Sequence, residues 1–258
     1  MATPDGVRPR TSGDFALEVV ASAGPTLGKR VFDLAFAIPM SIITFPIVLF
    51  GALGIFLSDP GPVIYRARRA GLKGKPFTLY KLRSMRRPRP GQEQPKITAG
   101  TKDPRVFFFG RVIRATKIDE LPQFWNVLLG DMSVVGPRPE DPLVVEEHYT
   151  PYDLETLEVL PGLTSPGSLY ASTHGDDMLG EEDPERDYVE LVMPLRLAIE
   201  HVYMERQSVG YDCKVIGRTV MLIIGAFLRR KTWPEQPEVP AAKEHLAKFR
   251  KPKLEADS

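Results

Sequence analysis

Apolar positions along this chain recur with different periods, and the longest apolar stretch is Val31–Leu57. A single charge, Asp33, interrupts these 27 residues. A straight helix of that length reaches about 40 Å, enough for the ~30 Å hydrocarbon core of a bilayer. Pro39 and Pro46 fall inside it. A helix broken near Pro46 has arms of roughly 15 and 11 residues, about 22 and 17 Å long, which can dip into one leaflet and return. The pattern alone does not choose between a single span and such a hairpin, because membrane helices tolerate proline.

Shorter periodic segments follow. Val63–Tyr65 and Phe77–Tyr80 read as strands around a turn at Gly71–Pro76. Ile118, Leu121, Trp125 and Leu128 recur at spacings of three and four, the stripe of an amphipathic helix. Thr116 is its expected N-cap, with Asp119 as a variant of the capping box, and Pro122 is tolerated in a first turn. Pro142–Leu160 and Asp187–Val209 carry helical patterns, the second with a break expected at Pro194. Pro161–Gly167 is a turn cluster. Thr219–Leu228 is apolar but too short to span a bilayer, which fits an interfacial helix or a buried core helix. Four regions result: a flexible leader over 1–28, a membrane segment over 29–58, a catalytic domain with interfacial helices over 59–232, and a Pro/Glu/Lys-rich tail over 233–258 expected to be loosely ordered.

Charge sharpens this reading. The net charge of +1 conceals ten basic and no acidic residues between Gly61 and Pro90, while Asp176–Glu190 is strongly acidic. A basic block beside an apolar segment suits anionic headgroups or a phosphorylated substrate. Lys29-Arg30 precedes the apolar segment, so both flanks are basic and the positive-inside rule keeps both ends in the cytoplasm. Nucleic acid is not expected as a partner, since no helix-turn-helix, zinc-finger or RNP pattern occurs. One cysteine, Cys213, excludes an intramolecular disulfide, points to a reducing compartment and is expected to be a small buried side chain. The four histidines lack metal-ligand spacing, and no Walker loop, GxGxxG turn or GxSxG elbow is present.

Candidate chemistry concentrates between Gly110 and Glu140. Asp119-Glu120 lies at an expected helix N-terminus, where the macrodipole favours the ionised form by ~0.3–1 kcal/mol. An ionised carboxylate can attack phosphorus or bind a hard divalent cation. Neighbouring residues on a helix point about 100° apart, so the pair is expected to hold two roles rather than share a proton. An Asp-Glu dipeptide alone says little, because such pairs usually sit on solvated faces.

The surrounding residues add more. Gly110-Arg111-Val112-Ile113-Arg114, Asp119-Glu120-Leu121-Pro122-Gln123, Asn126-Val127-Leu128, Gly130-Asp131-Met132-Ser133 and Val135-Gly136-Pro137-Arg138-Pro139 run almost without a gap. They closely resemble the signature of the bacterial sugar transferases, the monotopic phosphoglycosyl transferases. Arg69-Ala70-Gly71 stands where that family usually has R-P-G, and Tyr80-Lys81-Leu82-Arg83-Ser84-Met85 resembles its Y-K-F-R-S-M. The resemblance implies a re-entrant helix–break–helix, seated on the cytoplasmic face of the inner membrane. Around it would lie amphipathic interfacial helices and a compact, mostly helical α+β catalytic domain with a small antiparallel sheet. The family's break is Ser-Pro; here it is Phe45-Pro46, with Thr44 the nearest hydroxyl able to bond a freed carbonyl.

The implied reaction transfers a sugar-1-phosphate from a UDP-sugar to polyprenyl phosphate, undecaprenyl phosphate being the expected acceptor. It gives polyprenyl-diphosphate-sugar and UMP and commits a bacterial surface glycan to the membrane. Asp119 is the implied nucleophile, forming a phosphosugar-enzyme intermediate. Mg²⁺ is the implied cofactor, held by Glu120 with Asp119. Arg114 and Arg138 are assigned to phosphate, and Arg69, Lys81 and Arg83 to phosphate or headgroup contact, a solvated basic face being the alternative for these three. Membrane lipids are implied partners, and a homodimer is allowed. An inactive organiser of glycan assembly and a nucleotide-sugar hydrolase are the competing classes. The family usually has P-G-[IL]-T-G, an aromatic and Gln where this chain has Ser165-Pro166-Gly167-Ser168-Leu169-Tyr170, so substrate choice is expected to differ from common members.

Overall fold

The computed structural model describes residues 25–86, 105–175, 178–180, 183–228, 230 and 232–249. Most of the expected leader, the Pro88–Gly100 loop and the end of the tail lie outside these. The first element, α1 (Leu27–Ser58), starts at Thr26, whose hydroxyl accepts from the Lys29 amide. Its backbone stays helical through Pro39 and Pro46, so no helix boundary marks Pro46. Thr44 Oγ1 donates to the Met40 carbonyl at 2.7 Å. It does not reach the Ile42 carbonyl, the one that Pro46 deprives of its i+4 donor.

Contacts along α1 divide it in three. Lys29, Asp33 and Ala37 are buried, as are Val48, Gly51 and Ile55, but no residue from Ile38 to Ile47 is. Near the start, Arg30 donates to the Val127 and Leu128 carbonyls at 2.7 and 2.9 Å, satisfying groups that the end of a helix leaves open. Just past the far end, Asp59 pairs with Arg83 at 2.7 Å. A Cβ on Gly54 would lie 2.3 Å from the Phe109 ring, so only glycine permits that approach. One body therefore grips both arms while the middle stands clear.

Asp33, the lone charge of the apolar run, is fully buried, and among the described residues one of its oxygens, Oδ2, has no hydrogen-bond partner. Its Oδ1 accepts from Lys29 Nζ, the Ser133 hydroxyl and the Val134 amide at 3.3, 2.9 and 3.0 Å. Lys29 also pairs with Asp212 at 2.7 Å, and Asp212 accepts from Tyr203 at 2.8 Å. Buried charges persist only when paired and hydrogen-bonded, and this cluster joins the start of α1 to three later elements.

β1 (Ile64–Ala70) and β2 (Pro76–Leu82) form an antiparallel hairpin with Ile64 opposite Leu82 and Ala70 opposite Pro76. Both strands run longer than the sequence pattern indicates, because cross-strand pairing carries the basic residues along. After α2 (Phe108–Ala115) comes a 3-10 turn, Ile118–Glu120, and then α3 (Gln123–Leu129). Asn126, fully buried, docks α3 on the hairpin. Its amide donates to the Thr78 carbonyl at 2.7 Å and its oxygen accepts from the Tyr80 amide at 3.0 Å. A side chain thereby completes the unpaired edge of β2.

A second, parallel pair was not foreseen: β3 (Ser133–Val135) beside β4 (Gly162–Thr164). The expected turn cluster supplies β4, because Gly162 lets two backbones close. A Cβ there would lie 2.1 Å from the Gly136 amide nitrogen. The expected single helix over Pro142–Leu160 is instead α4 (Pro142–His148), α5 (Pro151–Leu154) and a 3-10 turn. Pro151 starts a new helix, capped by Thr150 in a capping box with Asp153. Then come α6 (Pro166–Tyr170), α7 (Pro184–Asp187) and α8 (Met193–Arg206), which follows a π-helical segment with Pro194 in its first turn. The break expected at Pro194 takes that form.

Two expectations about the C-terminal third change. The Thr219–Leu228 stretch is the end of a 19-residue helix, α9 (Val209–Phe227), and Cys213 on it is exposed. Polar positions in its first turns had hidden the helix. Part of the tail is docked: α10 (Val239–Phe249) packs Val239 and Ala242 against Ala198, Ile199 and Val202 of α8. Glu238, 1 % exposed, ties it down by accepting from Arg218 at 2.7 and 2.9 Å and from Tyr211. Among the described residues the fold is mostly helical, with two small two-stranded sheets and one long apolar helix.

Candidate active site

Asp119 and Glu120 sit on the 3-10 turn between α2 and α3, a position that follows from how α2 ends. Thr116 does not cap the following helix. It is the C-cap of α2, and its hydroxyl donates back to the Val112 carbonyl at 2.8 Å. Lys117 then takes a left-handed backbone (φ 58°, ψ 15°), a conformation costing ~1–3 kcal/mol for a residue with a Cβ. The reversal shifts the helical register. In α3 the buried positions are Gln123, Phe124, Asn126 and Val127, while the expected stripe of Ile118, Leu121, Trp125 and Leu128 is half-buried.

The turn gives the two carboxylates different surroundings. Asp119 points inward at 9 % exposure, and among the described residues its Oδ1 is buried with no hydrogen-bond partner. Glu120 points into a polar cleft and accepts from Lys81 Nζ at 3.1 Å. This cleft, open to solvent, is lined by Arg69, Leu79, Lys81, Glu120, Gln123, Arg138, Pro139, Gly162, Leu163 and Ser168. The hairpin contributes Arg69 and Lys81, the Gly136–Pro139 turn contributes Arg138, and β4 with α6 contributes the remaining wall.

Burial pushes the Asp119 carboxyl up to about 6, helped by the charge of Glu120 and opposed by Lys81, Lys117 and Arg114. Glu120 goes the other way. Burial alone would raise it, but Lys81, Lys117 and Arg138 hold it well below the usual carboxylate range. At neutral pH the turn therefore carries a firmly ionised Glu120 and a largely ionised Asp119 whose charge is poorly solvated. A carboxylate in that state is a nucleophile with little hydration to shed.

The expected phosphate-binding residues divide by place. Arg69 lines the cleft and pairs with Asp141 at 2.8 Å. Lys81 and Arg138 line it too, and Arg138 is exposed. Arg114, half-exposed in the last turn of α2, bears on Asp119 through its charge. Arg83 does not line the cleft. Arg83 is 6 % exposed, its guanidinium held by the Asp59 carboxylate and carbonyl, and it secures the end of α1. Ile118, next to Asp119, faces Gly51 of α1, so the candidate nucleophile adjoins the apolar helix.

Sequence reasoning missed the polar layer beneath the cleft. Arg196, fully buried, donates to Glu140 Oε2 at 2.8 Å, and the Tyr188 hydroxyl donates to the same oxygen at 3.0 Å. Glu200, also fully buried, accepts from the Ser165 hydroxyl at 2.6 Å. Burial pushes its carboxyl up to about 7. A signal was available, since Arg196 and Glu200 stand four apart within a helix whose neighbouring positions are apolar. Charges there imply a partner on another element.

Comparison with known proteins gives the site a context. Residues 25–226 match the family model described as bacterial sugar transferase. A Bacillus subtilis protein is 48 % identical over 119 residues, 46 % of this chain and 65 % of that one. A UDP-glucose:undecaprenyl-phosphate glucose-1-phosphate transferase of Caulobacter vibrioides is 37 % identical, covering 75 % of this chain and 68 % of the relative. The Escherichia coli protein of the same description is 36 % identical over 74 % of this chain and 39 % of its own length. The chain thus spans between two fifths and about two thirds of these relatives. The family model covers most of the chain, including α1, the Asp119-Glu120 turn and the cleft beside it, and on that match the chain belongs to the bacterial sugar transferase family.

Proposed function

We propose that this protein transfers a sugar-1-phosphate from a UDP-sugar to polyprenyl phosphate, of the undecaprenyl type that its relatives' names specify, at the cytoplasmic face of the inner membrane. A carboxylate oxygen of Asp119 attacks the β-phosphorus, and the bond from that phosphorus to the bridging oxygen breaks. UMP leaves with the electron pair, and the sugar phosphate stays on Asp119 as an acyl phosphate. A phosphate oxygen of the lipid then attacks the same phosphorus and the Asp119 carboxylate leaves, so atoms and charge balance over two displacements.

One observation carries this reading: a buried carboxylate oxygen, without a hydrogen-bond partner among the described residues, lies among Lys81, Lys117 and Arg114 on a turn that touches α1. Lys81 and Arg138 would grip the donor diphosphate at the cleft, with Arg69 beside them, arginine forks matching phosphate oxygens. The acceptor's tail cannot leave the bilayer, and α1 brings the site to it. Its two arms end on one body, its uncovered middle is apolar and both flanks are basic, which supports a re-entrant, monotopic seating.

Mg²⁺ fits the residues present. Among the described residues no three His, Cys, Asp or Glu side chains gather as a metal cage, but Mg²⁺ is commonly held by one or two carboxylates plus substrate phosphates. Glu120 and the free oxygen of Asp119 would hold it, and its chemistry is neutralisation of the diphosphate charge. The test is UMP release by the full chain in nanodiscs with polyprenyl phosphate. Asp119→Asn is expected to keep membrane association and lose UMP release. Substantial activity in that variant removes Asp119 from the mechanism, and continued UMP turnover beyond one equivalent per enzyme without lipid acceptor makes the protein a hydrolase.

A further inference from the structure

Helix α2 presents apolar side chains on two sides. Inward, Ile113 is buried and Phe109 sets its ring against Gly54 of α1. Outward, Phe108 is 76 % exposed and Val112 45 %. Arg111 and Ala115 share that exposed face, because residues three and four apart stack on one side of a helix. The Arg111 guanidinium lies over the Phe108 ring at 5.8 Å, which keeps a cation beside an apolar surface and leaves its N–H donors open.

Charges sort differently on the two sides of Asp119. In the cleft, Arg69 pairs with Asp141 and Lys81 with Glu120. On and just after α2, Arg111, Arg114 and Lys117 form no ion pair among the described residues, and no acidic residue occurs between Arg105 and Ile118. Lys117 is exposed, and its charge bears on both Asp119 and Glu120. Over about 10 Å, α2 thus leads from the apolar helix α1 toward the candidate nucleophile, with open cations beside open apolar side chains. A soluble anion would use the cations and have no need of Phe108 and Val112. A hydrocarbon would use only the reverse. A phosphate carried on a hydrocarbon tail uses both.

We propose that this outward face of α2 is where the lipid acceptor docks, its first isoprene units against Phe108 and Val112 and its phosphate met by Arg111 and Lys117. This rests on the transferase reading above and adds a surface separate from the donor cleft, none of whose lining residues lies on α2. The second displacement needs the lipid oxygen in line with the departing Asp119 oxygen, on the side that UMP has vacated. The face of α2 therefore governs capture of the acceptor, and the cleft aligns it for attack. Lys117 also acts on the Asp119 charge, so Arg111 and Phe108 are the cleaner probes.

The experiment measures UMP release by the full chain in nanodiscs of zwitterionic phospholipid. Polyprenyl phosphate is varied, and separately the UDP-hexose that wild-type protein uses best among glucose, galactose and their two N-acetyl counterparts. Arg111→Gln is expected to lower kcat/KM for polyprenyl phosphate about fivefold, the effect of one cation at a phosphate-bearing lipid surface. Phe108→Ala is expected to lower it roughly three- to tenfold through lost apolar contact. Both variants should leave kcat/KM for the UDP-hexose within about twofold and the melting temperature unchanged, since neither side chain is buried. Arg111→Lys, which keeps the charge, should recover most of the loss. An unchanged acceptor kcat/KM in either variant overturns the proposal, as does an equal fall for both substrates, which a merely structural role would give. A defect in Arg111→Gln that appears only after anionic phospholipid is added assigns the face to bulk headgroups and overturns it too. Wild-type protein that releases no UMP with any of the four donors and polyprenyl phosphate would instead sink the transferase reading itself.

Discussion

A buried carboxylate kept ionised for chemistry should weaken the fold, and Asp119 allows that to be measured. Its pKa is raised from 3.8 to about 6, so the folded protein resists the charge that the unfolded chain carries freely. The penalty is absent below about pH 4, grows as pH rises through both values and is complete above about pH 7. A shift of about 2 units at ~1.4 kcal/mol each sets a ceiling of about 3 kcal/mol. Glu120 titrates with Asp119 and shares part of it, which leaves about 1–3 kcal/mol for Asp119→Asn to recover. For a chain of this size that corresponds to a rise in Tm of roughly 2–10 °C. The assay is thermal unfolding in nanodiscs with a chelator present, wild type against Asp119→Asn, at pH 8 and pH 5. The variant is expected to be the more stable protein at pH 8, with its advantage roughly halved at pH 5, while releasing no UMP. An Asn variant no more stable than wild type at pH 8, or a gain equal at both pH values, refutes the reasoning that Asp119 is destabilised by its own charge.

Two further outcomes test the framework around the site. Lys29→Met strands the Asp33 and Asp212 carboxylates in the core and is expected to lower stability by ~3–5 kcal/mol, read as a fall in Tm; a neutral effect would mean that the cluster is not buried in the protein. Gly162→Ala places a Cβ 2.1 Å from the Gly136 amide nitrogen, backbone against backbone, and is expected to part β3 from β4. Circular dichroism and the UDP-sugar KM should both change, since Gly162 and Arg138 line one cleft.

The sequence by itself determined the family, the long apolar helix with basic flanks and the β1–β2 hairpin, and it named Asp119, Glu120, Arg114, Lys81, Arg69 and Arg138 as candidates for the site. Those features are local: a hydrophobic run, an alternation, a turn and a linear signature each span few residues. Tertiary structure decided everything that depended on a partner far along the chain. Arg83 looked like its basic neighbours until Asp59 claimed it, Asn126 of the signature emerged as the staple to β2, and Asp33 was an anomaly until Lys29, Ser133 and Val134 surrounded it. The β3–β4 pair, the docking of α10 through Glu238 and the Glu200–Ser165 hydrogen bond were equally invisible. A polar side chain's role is set by which opposite charge or hydrogen-bond group folding brings within about 3 Å, and no spacing along the sequence encodes that distance.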